Sequence, residues 1–206
     1  DITKEQLISA MVGREKSSDT FPARPATISD KVVLELKNAG LRHQRLHNIN
    51  MCIHEGEIVG LAGLEGQGQR HLVRAMFGIE PFSEGKMFLF GKQVNITSPA
   101  SAIRHGIAFI PDDRDLEGTV KSMSVGENLT LATLKEISRI GVLNKKKTKQ
   151  SVEDGIRQLS IKAASPHIEI SHLSGGNQQK VIFAKWLKTR PKIIILHEPT
   201  RGIDIQ

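Results

Sequence analysis

Gly60-Leu61-Ala62-Gly63-Leu64-Glu65-Gly66-Gln67-Gly68-Gln69-Arg70 is the stretch on which the fold turns. It overlaps the apolar run Glu57-Ile58-Val59-Gly60-Leu61-Ala62, which has the composition of a buried strand, and it precedes a helical run over 71–77. Strand, glycine turn and helix is the context a phosphate cradle needs. Glycines let backbone N–H groups converge on an anion, and the helix N-terminus adds partial positive charge. In the consensus G-x-x-x-x-G-K-[ST], the Lys grips the β- and γ-phosphates and the hydroxyl binds Mg²⁺. Gly63 and Gly68 have that spacing, but Gln69 stands at the Lys position and Arg70 at the hydroxyl position. Arg70 cannot ligate Mg²⁺, and a one-residue displacement turns a helical side chain by roughly 100°, so it reaches a phosphate from the side. The scaffold is present with altered chemistry. A strand–helix connection that binds nothing is the plain alternative.

Two further motifs lie downstream. Leu173-Ser174-Gly175-Gly176-Asn177-Gln178-Gln179-Lys180 places a Ser and two glycines at a helix start, so N–H groups and a hydroxyl face an anion. A serine N-cap with a flexible entry is its bland counterpart. Ile193-Ile194-Ile195-Leu196-His197-Glu198-Pro199-Thr200 resembles a Walker B strand, in which an Asp holds Mg²⁺ and the following Glu polarises water. His197 replaces that Asp, and Mg²⁺ prefers hard oxygen ligands over imidazole. Both expected protein handles on the metal are therefore missing together. A structural His after a strand is the simpler reading of His197.

Around these motifs the chain reads as α/β. Residues 32–36 and 46–53 are strand candidates, Met87-Phe88-Leu89-Phe90 with Gly91-Lys92 and Gln93-Val94 reads as a hairpin, and 106–111 is a buried strand stopped by Pro111. Ser124 with Glu127 is a capping-box pattern, residues 149–159 have helical spacing, and a long helix runs from Ser174 through Lys188. Lys145-Lys146-Lys147 reads as an exposed face. A helical insertion spans about 118–173. Residues 1–30 differ: a short amphipathic helix over 4–11, ended by Gly13, leads into a polar, proline-punctuated linker.

Composition narrows the classes. Of 206 residues 38% are hydrophobic and 25% charged, enough apolar content to fill a core, so disorder is excluded as the main character. No run of about 18 apolar residues exists to span a membrane. Cys52 is the single cysteine, which rules out an intrachain disulfide framework and multi-thiolate zinc. Twenty-nine Lys and Arg against 22 Asp and Glu give +7, which suits acidic partners or simple solvation. With aromatics at 4% and no Tyr, a base-stacking surface is not expected.

The order of glycine turn, LSGGNQQK and IIILHEPTRGID resembles the nucleotide-binding domain of an ABC transporter ATPase, a P-loop NTPase (RecA-like) core with an antiparallel β subdomain and an inserted α-helical subdomain. Pro111-Asp112-Asp113-Arg114 with Gly118 and Met123-Ser124-Val125-Gly126-Glu127-Asn128 resembles the carbohydrate-importer (ribose/galactose) type. Glu198-Pro199-Thr200-Arg201-Gly202-Ile203-Asp204 resembles the second, C-terminal half of its tandem ATPase subunit, and the opening residues resemble the join between halves. The resemblance implies domains of 1–30, a tail and linker, and 31–206, a nucleotide-binding domain ending before the switch histidine, so that the chain is a fragment of a longer subunit. It implies that two halves meet head to tail, each ATP lying between one half's cradle and the other's signature helix. Gly63, Glu65, Gly66, Gln67, Gly68, Gln69 and Arg70 would then form the cradle, with Asp112 at the Q-loop position. Ser174, Gly175, Gly176 and Gln178 would face the partner's ATP, Glu198 would be the general base, His197 the altered Walker B position and Asp204 the D-loop contact. His43 or His47 could stand in for an adenine-stacking aromatic.

The implied ligands are ATP and Mg²⁺, with Arg70 and His197 set against Mg²⁺ at this half's own cradle; no metal ligand is assigned. The implied partners are the other nucleotide-binding half and transmembrane permease subunits, at the cytoplasmic face of the membrane, with no direct sugar or nucleic-acid binding. A nucleotide-sensing module without turnover is the competing reading, and duplex DNA binding through the +7 charge is a third.

Overall fold

The computed structural model describes residues 29–44 and 46–201. The expected helix over 4–11, almost all of the linker, and Asp204 lie outside them. Four antiparallel strands form one sheet in the order β2-β1-β3-β4: β1 (Val32–Leu41), β2 (Leu46–His54), β3 (Glu84–Leu89) and β4 (Lys92–Val94). The inward residues Leu34 and Leu36 alternate with Glu35, the period of two that a one-faced sheet requires. β1 runs about twice the expected length, continuing past register shifts that follow Leu36 and Ala39. The β3–β4 turn falls one residue earlier than the sequence suggests. Leu89 pairs with Lys92, leaving Phe90 and Gly91 as a two-residue loop, both with positive φ, as a hairpin of the primed type demands.

Helix α1 (Gln69–Met76) starts two residues before the expected 71–77 run, and Phe77 is its C-cap. It buries Leu72, Val73, Ala75 and Met76. Helix α2 (Pro99–Arg104) follows, capped by Ser98, which accepts from Ser101 N–H. It leads into β5 (Ile107–Ile110), buried at every position. β5 pairs in parallel with β8 (Ile193–Leu196), Ile110 opposite Leu196. Phe77 stacks on Phe109 at 5.2 Å and meets the edge of Trp186 at 5.5 Å, so α1, β5 and the last helix share one core.

Between β5 and β8 lie α3 (Val125–Thr130), α4 (Leu134–Ile137), the small hairpin β6 (Ser138–Arg139) and β7 (Val142–Leu143), α5 (Lys145–Gln158) and α6 (Gly175–Leu187). Val125, Leu129, Val152, Ile161, Ile170 and Val181 form a second apolar cluster among them. α5 begins at the lysine run, four residues before the expected start, because Asn144 caps it by accepting from Lys147 N–H; all three lysines remain exposed. No helix among the described residues is long and apolar enough to cross a membrane.

One expected strand does not form. Residues 57–62 are irregular, and 58–62 are exposed, with Ile58 at 98% accessibility. Strand status depends on a ladder partner, and among the described residues this segment has none. The free edge of β8, with Ile194 and Leu196 nearly half exposed, faces the same open space.

Candidate functional site

The cleft beside this segment, about 1600 Å³, is lined by the glycine turn, α1, Asp112 and the end of β8. That exceeds the roughly 300–1,000 Å³ of ordinary small-ligand pockets; residues 57–64, which join no sheet, and β8 both line it. At its floor, Gly68 is the N-cap of α1 with φ 102°, and a Cβ there would lie 3.1 Å from Leu46 Cδ1. Positive φ and close packing both require glycine. The interior of the turn is occupied by its own amides. Gln67 Oε1 accepts from Leu64 N–H at 3.1 Å, and Gln69 Nε2 donates to the Leu64 carbonyl at 3.4 Å. Both side chains fold over Gly63, where a Cβ would collide with them.

Parallel pairing of β5 and β8 sets the next feature. His197 N–H donates to the Ile110 carbonyl at 2.9 Å, which brings the residues just past both strand ends side by side. Asp112, its carboxylate only 5% exposed, then has Oδ1 3.0 Å from His197 Nδ1. The two atoms are close but out of line, and neither has a directed hydrogen bond. The other oxygen, Oδ2, lies 3.4 Å from the Arg201 guanidinium and 3.8 Å from that of Arg70. Arg70 also approaches Glu117 at 3.8 Å. Behind it, Arg74 bridges Glu117 and Glu80, both at 2.6 Å, and His71 meets Glu80 at 2.6 Å. Burial alone would lower the Arg74 pKa, but the two carboxylates outweigh it and the net shift is upward. For Glu80, burial pushes up, and His71 with Arg74 reverses that into a lowered pKa.

This donor set does not fit Mg²⁺. A magnesium site wants near-octahedral oxygens. At the three positions that would supply them stand a guanidinium, an imidazole and a carboxylate already surrounded by both. No group of three or more His, Cys, Asp or Glu among the described residues could hold a metal ion.

The second glycine motif is built differently. Ser174 is the N-cap of α6, yet its hydroxyl makes no capping bond; it accepts instead from Asn177 Nδ2 at 2.9 Å. The expected outward-pointing hydroxyl is thus engaged sideways. The first-turn N–H groups of Gly175, Gly176 and Asn177 have no intrahelical acceptor and no side-chain cap. Gln178 does not face outward either: its amide donates to the Leu173 carbonyl at 2.9 Å. The Arg114 guanidinium lies against Gly175, about 3 Å from where a Cβ would be. Deeper on α6, Lys185 Nζ donates to the Gly118 carbonyl at 2.5 Å, and burial lowers its pKa to about 8. Gly118 ends the π-turn Arg114–Gly118 that follows Asp112, so this bond ties α6 to the loop of the first site.

The structure therefore brings Arg70, Asp112 and His197 together, while Ser174, Gly175 and Gly176 form a separate helix start. Glu198 is the first residue past His197, exposed, with φ 44° and Oε2 4.0 Å from Arg201. Glu65 and Gly66 are exposed on the turn. His47 is paired with Glu84 at 2.6 Å, and His43 sits exposed in a short turn. Arg114, Arg201 and Glu117 carry no role on sequence reasoning alone. Arg201 follows the carboxylate strand closely enough to fold back on it, which is the signal that could have found it.

The ABC transporter family profile matches residues 46–201. The chain is 42% identical over 201 residues to the ribose import ATP-binding protein RbsA of Bacillus cereus, covering 98% of this chain and 40% of that protein. Identity to RbsA of Clostridium tetani is 43% over 206 residues, with 100% and 40% covered. The chain thus spans about 40% of the length of these curated relatives. Among solved structures, the ATP-binding cassette MJ1267 of an ABC transporter superposes with TM-score 0.70 at 19% identity, over 84% of this chain and 71% of that one. That likeness is one of P-loop NTPase fold, and it agrees with the α/β architecture of an antiparallel sheet and helices. With the glycine turn, the LSGG helix and the carboxylate strand in the family's order, this chain belongs to the ABC transporter family as an ATP-binding domain.

Proposed function

We propose that this domain is the C-terminal nucleotide-binding half of a tandem ATPase subunit in a carbohydrate importer. Its own cradle is degenerate, and its signature helix completes the ATP site of the other half. The observation that carries the reading is the contrast between the two glycine motifs. The start of α6 has an exposed Ser174 and uncapped N–H groups, whereas Arg70 and His197 close around Asp112 where a metal would sit. Charge-assisted hydrogen bonds contribute roughly 1.5–3 kcal/mol each. Losing the Lys contact and the metal ligands removes about 3–6 kcal/mol, or about 10²–10⁴ in MgATP affinity.

The work of the subunit is phosphoryl transfer from ATP to water, driven by positioning and electrostatics. Glu198 serves as the general base of its own half, and Asp204 as the contact between halves. The relatives' names concern ribose import, and a permease in the cytoplasmic membrane is the partner that this reading requires; sugar recognition lies elsewhere.

The test is Ser174→Arg in the full-length subunit with its permease in liposomes. ATP turnover is expected to fall more than about 100-fold with the circular dichroism spectrum unchanged. Turnover at the unmodified rate means that the helix lends nothing to a partner.

A further inference from the structure

The metal position of the cradle is not simply damaged; it is rebuilt. Two departures from the consensus, Arg70 and His197, converge on the carboxylate at the Q-loop position, each from a separate element. Arg70 comes from the first turn of α1, Asp112 from beyond β5, and His197 from the end of β8. Arg201, in the turn after β8, closes the group from the fourth side. The Asp112 carboxylate is the hub, buried to 5% exposure, with one oxygen toward His197 and the other toward both guanidiniums. The guanidiniums themselves are half or more exposed, at 52% and 64%, and all four residues line the cleft with the glycine turn. Oδ1 of Asp112 and Nδ1 of His197 lack directed partners although buried, so the cluster is not saturated.

A divalent cation approaching the Asp112 carboxylate would meet two guanidiniums already gathered on its Oδ2. An anion would meet the reverse: two planar donors on the cleft side and the unpartnered N–H groups at the start of α1 beside them. We propose that this cradle takes a nucleotide's phosphates without a divalent cation, Arg70 and Arg201 supplying the positive charge that Mg²⁺ supplies in a consensus site. Asp112 Oδ2 holds the two guanidiniums, and His197 lies against the other oxygen of the same carboxylate. The Gln67 and Gln69 amides, which fill the turn over Gly63, are neutral and mobile about their side-chain bonds, and a phosphate group displaces them. The inference rests on reading residues 63–70 as a phosphate cradle, and it concerns this chain's own site, not the signature helix.

The experiment photolabels the full-length subunit with 8-azido-ATP, in Mg²⁺ and in EDTA, and maps labelled peptides by mass spectrometry to this domain. Labelling here is expected to be at least as strong in EDTA as in Mg²⁺. Arg70→Gln and Arg201→Gln should each weaken the EDTA labelling about tenfold or more, and unfolding midpoints identify any variant that fails to fold. His197→Asp, which returns an oxygen ligand, should make labelling rise with Mg²⁺. Labelling of the wild-type domain that requires Mg²⁺ overturns the inference, as does the absence of labelling in both buffers. Retained sensitivity of turnover to Ser174→Arg in that last case leaves the proposed function standing, so the two failures are distinguishable.

Discussion

Two helix starts in this domain carry the same dipole and the same glycine-rich approach, and they differ in what surrounds them. At α1 the turn is filled by Gln67 and Gln69, and the flank is a knot of charges centred on Asp112. At α6 the turn is open, Ser174 is exposed, and the nearby Arg114 is accommodated only because residue 175 has no side chain. A helix N-terminus by itself attracts an anion only modestly, by a few tenths to about 1 kcal/mol. What decides whether such a terminus holds a metal-bound triphosphate is the set of groups brought to it from other elements. At α1 those groups crowd a metal out; at α6 they leave the Ser174 end of the helix exposed.

The largest expected effect after Ser174→Arg comes from reversing the difference. Gln69→Lys, Arg70→Ser and His197→Asp together restore a phosphate cation, a hydroxyl and a metal carboxylate. Site-mapped labelling with Mg²⁺ and 8-azido-ATP should then strengthen by about 10²–10⁴, matching the loss expected from the missing charge-assisted bonds. A change below about threefold would mean that the irregular 57–64 segment, not the missing ligands, limits the site.

Lys185 connects the two regions, from α6 to the Gly118 carbonyl in the loop after Asp112. Its pKa is about 8 in the folded chain against 10.5 for an unperturbed lysine, and burial is the cause. Between those values the unfolded chain holds a proton that the folded chain has released, so stability rises with pH across about 8 to 10.5. Below pH 8 the charge is buried and its penalty is fully present. The rise amounts to about 3 kcal/mol from this residue, with Lys188, also lowered by burial, adding in the same direction. Urea midpoints from pH 7 to 10.5 check it: the wild-type curve should climb, and most of the climb should vanish in Lys185→Met. A flat wild-type curve would show that the tether between the two sites is hydrated.

Much of this was readable from the residues, and the exceptions have a common cause. The strands at 46–54, 107–110 and 193–196, the cap at Ser124 and the helix start at Ser174 follow from local pattern. Residues 57–62 are also largely apolar, yet they form no strand, because a ladder needs a neighbour and composition does not supply one. The β3–β4 turn slipped by one because Phe90 takes the positive φ that glycine normally signals. At the site, the losses at positions 69, 70 and 197 were visible, but not that Arg70 and His197 turn toward the same carboxylate. Residues 112 and 197 meet through the parallel register of β5 and β8, and residues 70 and 201 reach the same carboxylate from α1 and from the turn after β8. Asn128 was legible only as part of a family-like segment. In the fold its buried amide accepts from Val120 N–H and donates toward Val120, Met123 and Ser124 carbonyls, holding the entry to α3.

The smallest effect separates two serines that look alike in sequence. Ser124 is a working cap: its Oγ accepts from Glu127 N–H at 3.2 Å, and Glu127 Oε2 accepts from Ser124 N–H at 2.8 Å and from its hydroxyl at 2.7 Å. Those bonds from the Ser124 side chain and backbone hold the Glu127 carboxyl below its usual range. Ser174 stands at the same cap position of a longer helix and caps nothing. Ser124→Ala should therefore lower stability by about 1 kcal/mol with turnover unaffected beyond that loss. Ser174→Ala should lower it by less than about 0.5 kcal/mol, the range of ordinary surface changes, while still reducing turnover of the full-length subunit. Urea midpoints and ATPase rates on the two variants give the comparison. Equal stability losses would make Ser174 a structural cap after all, and the contrast between the two helix starts would lose its chemical basis.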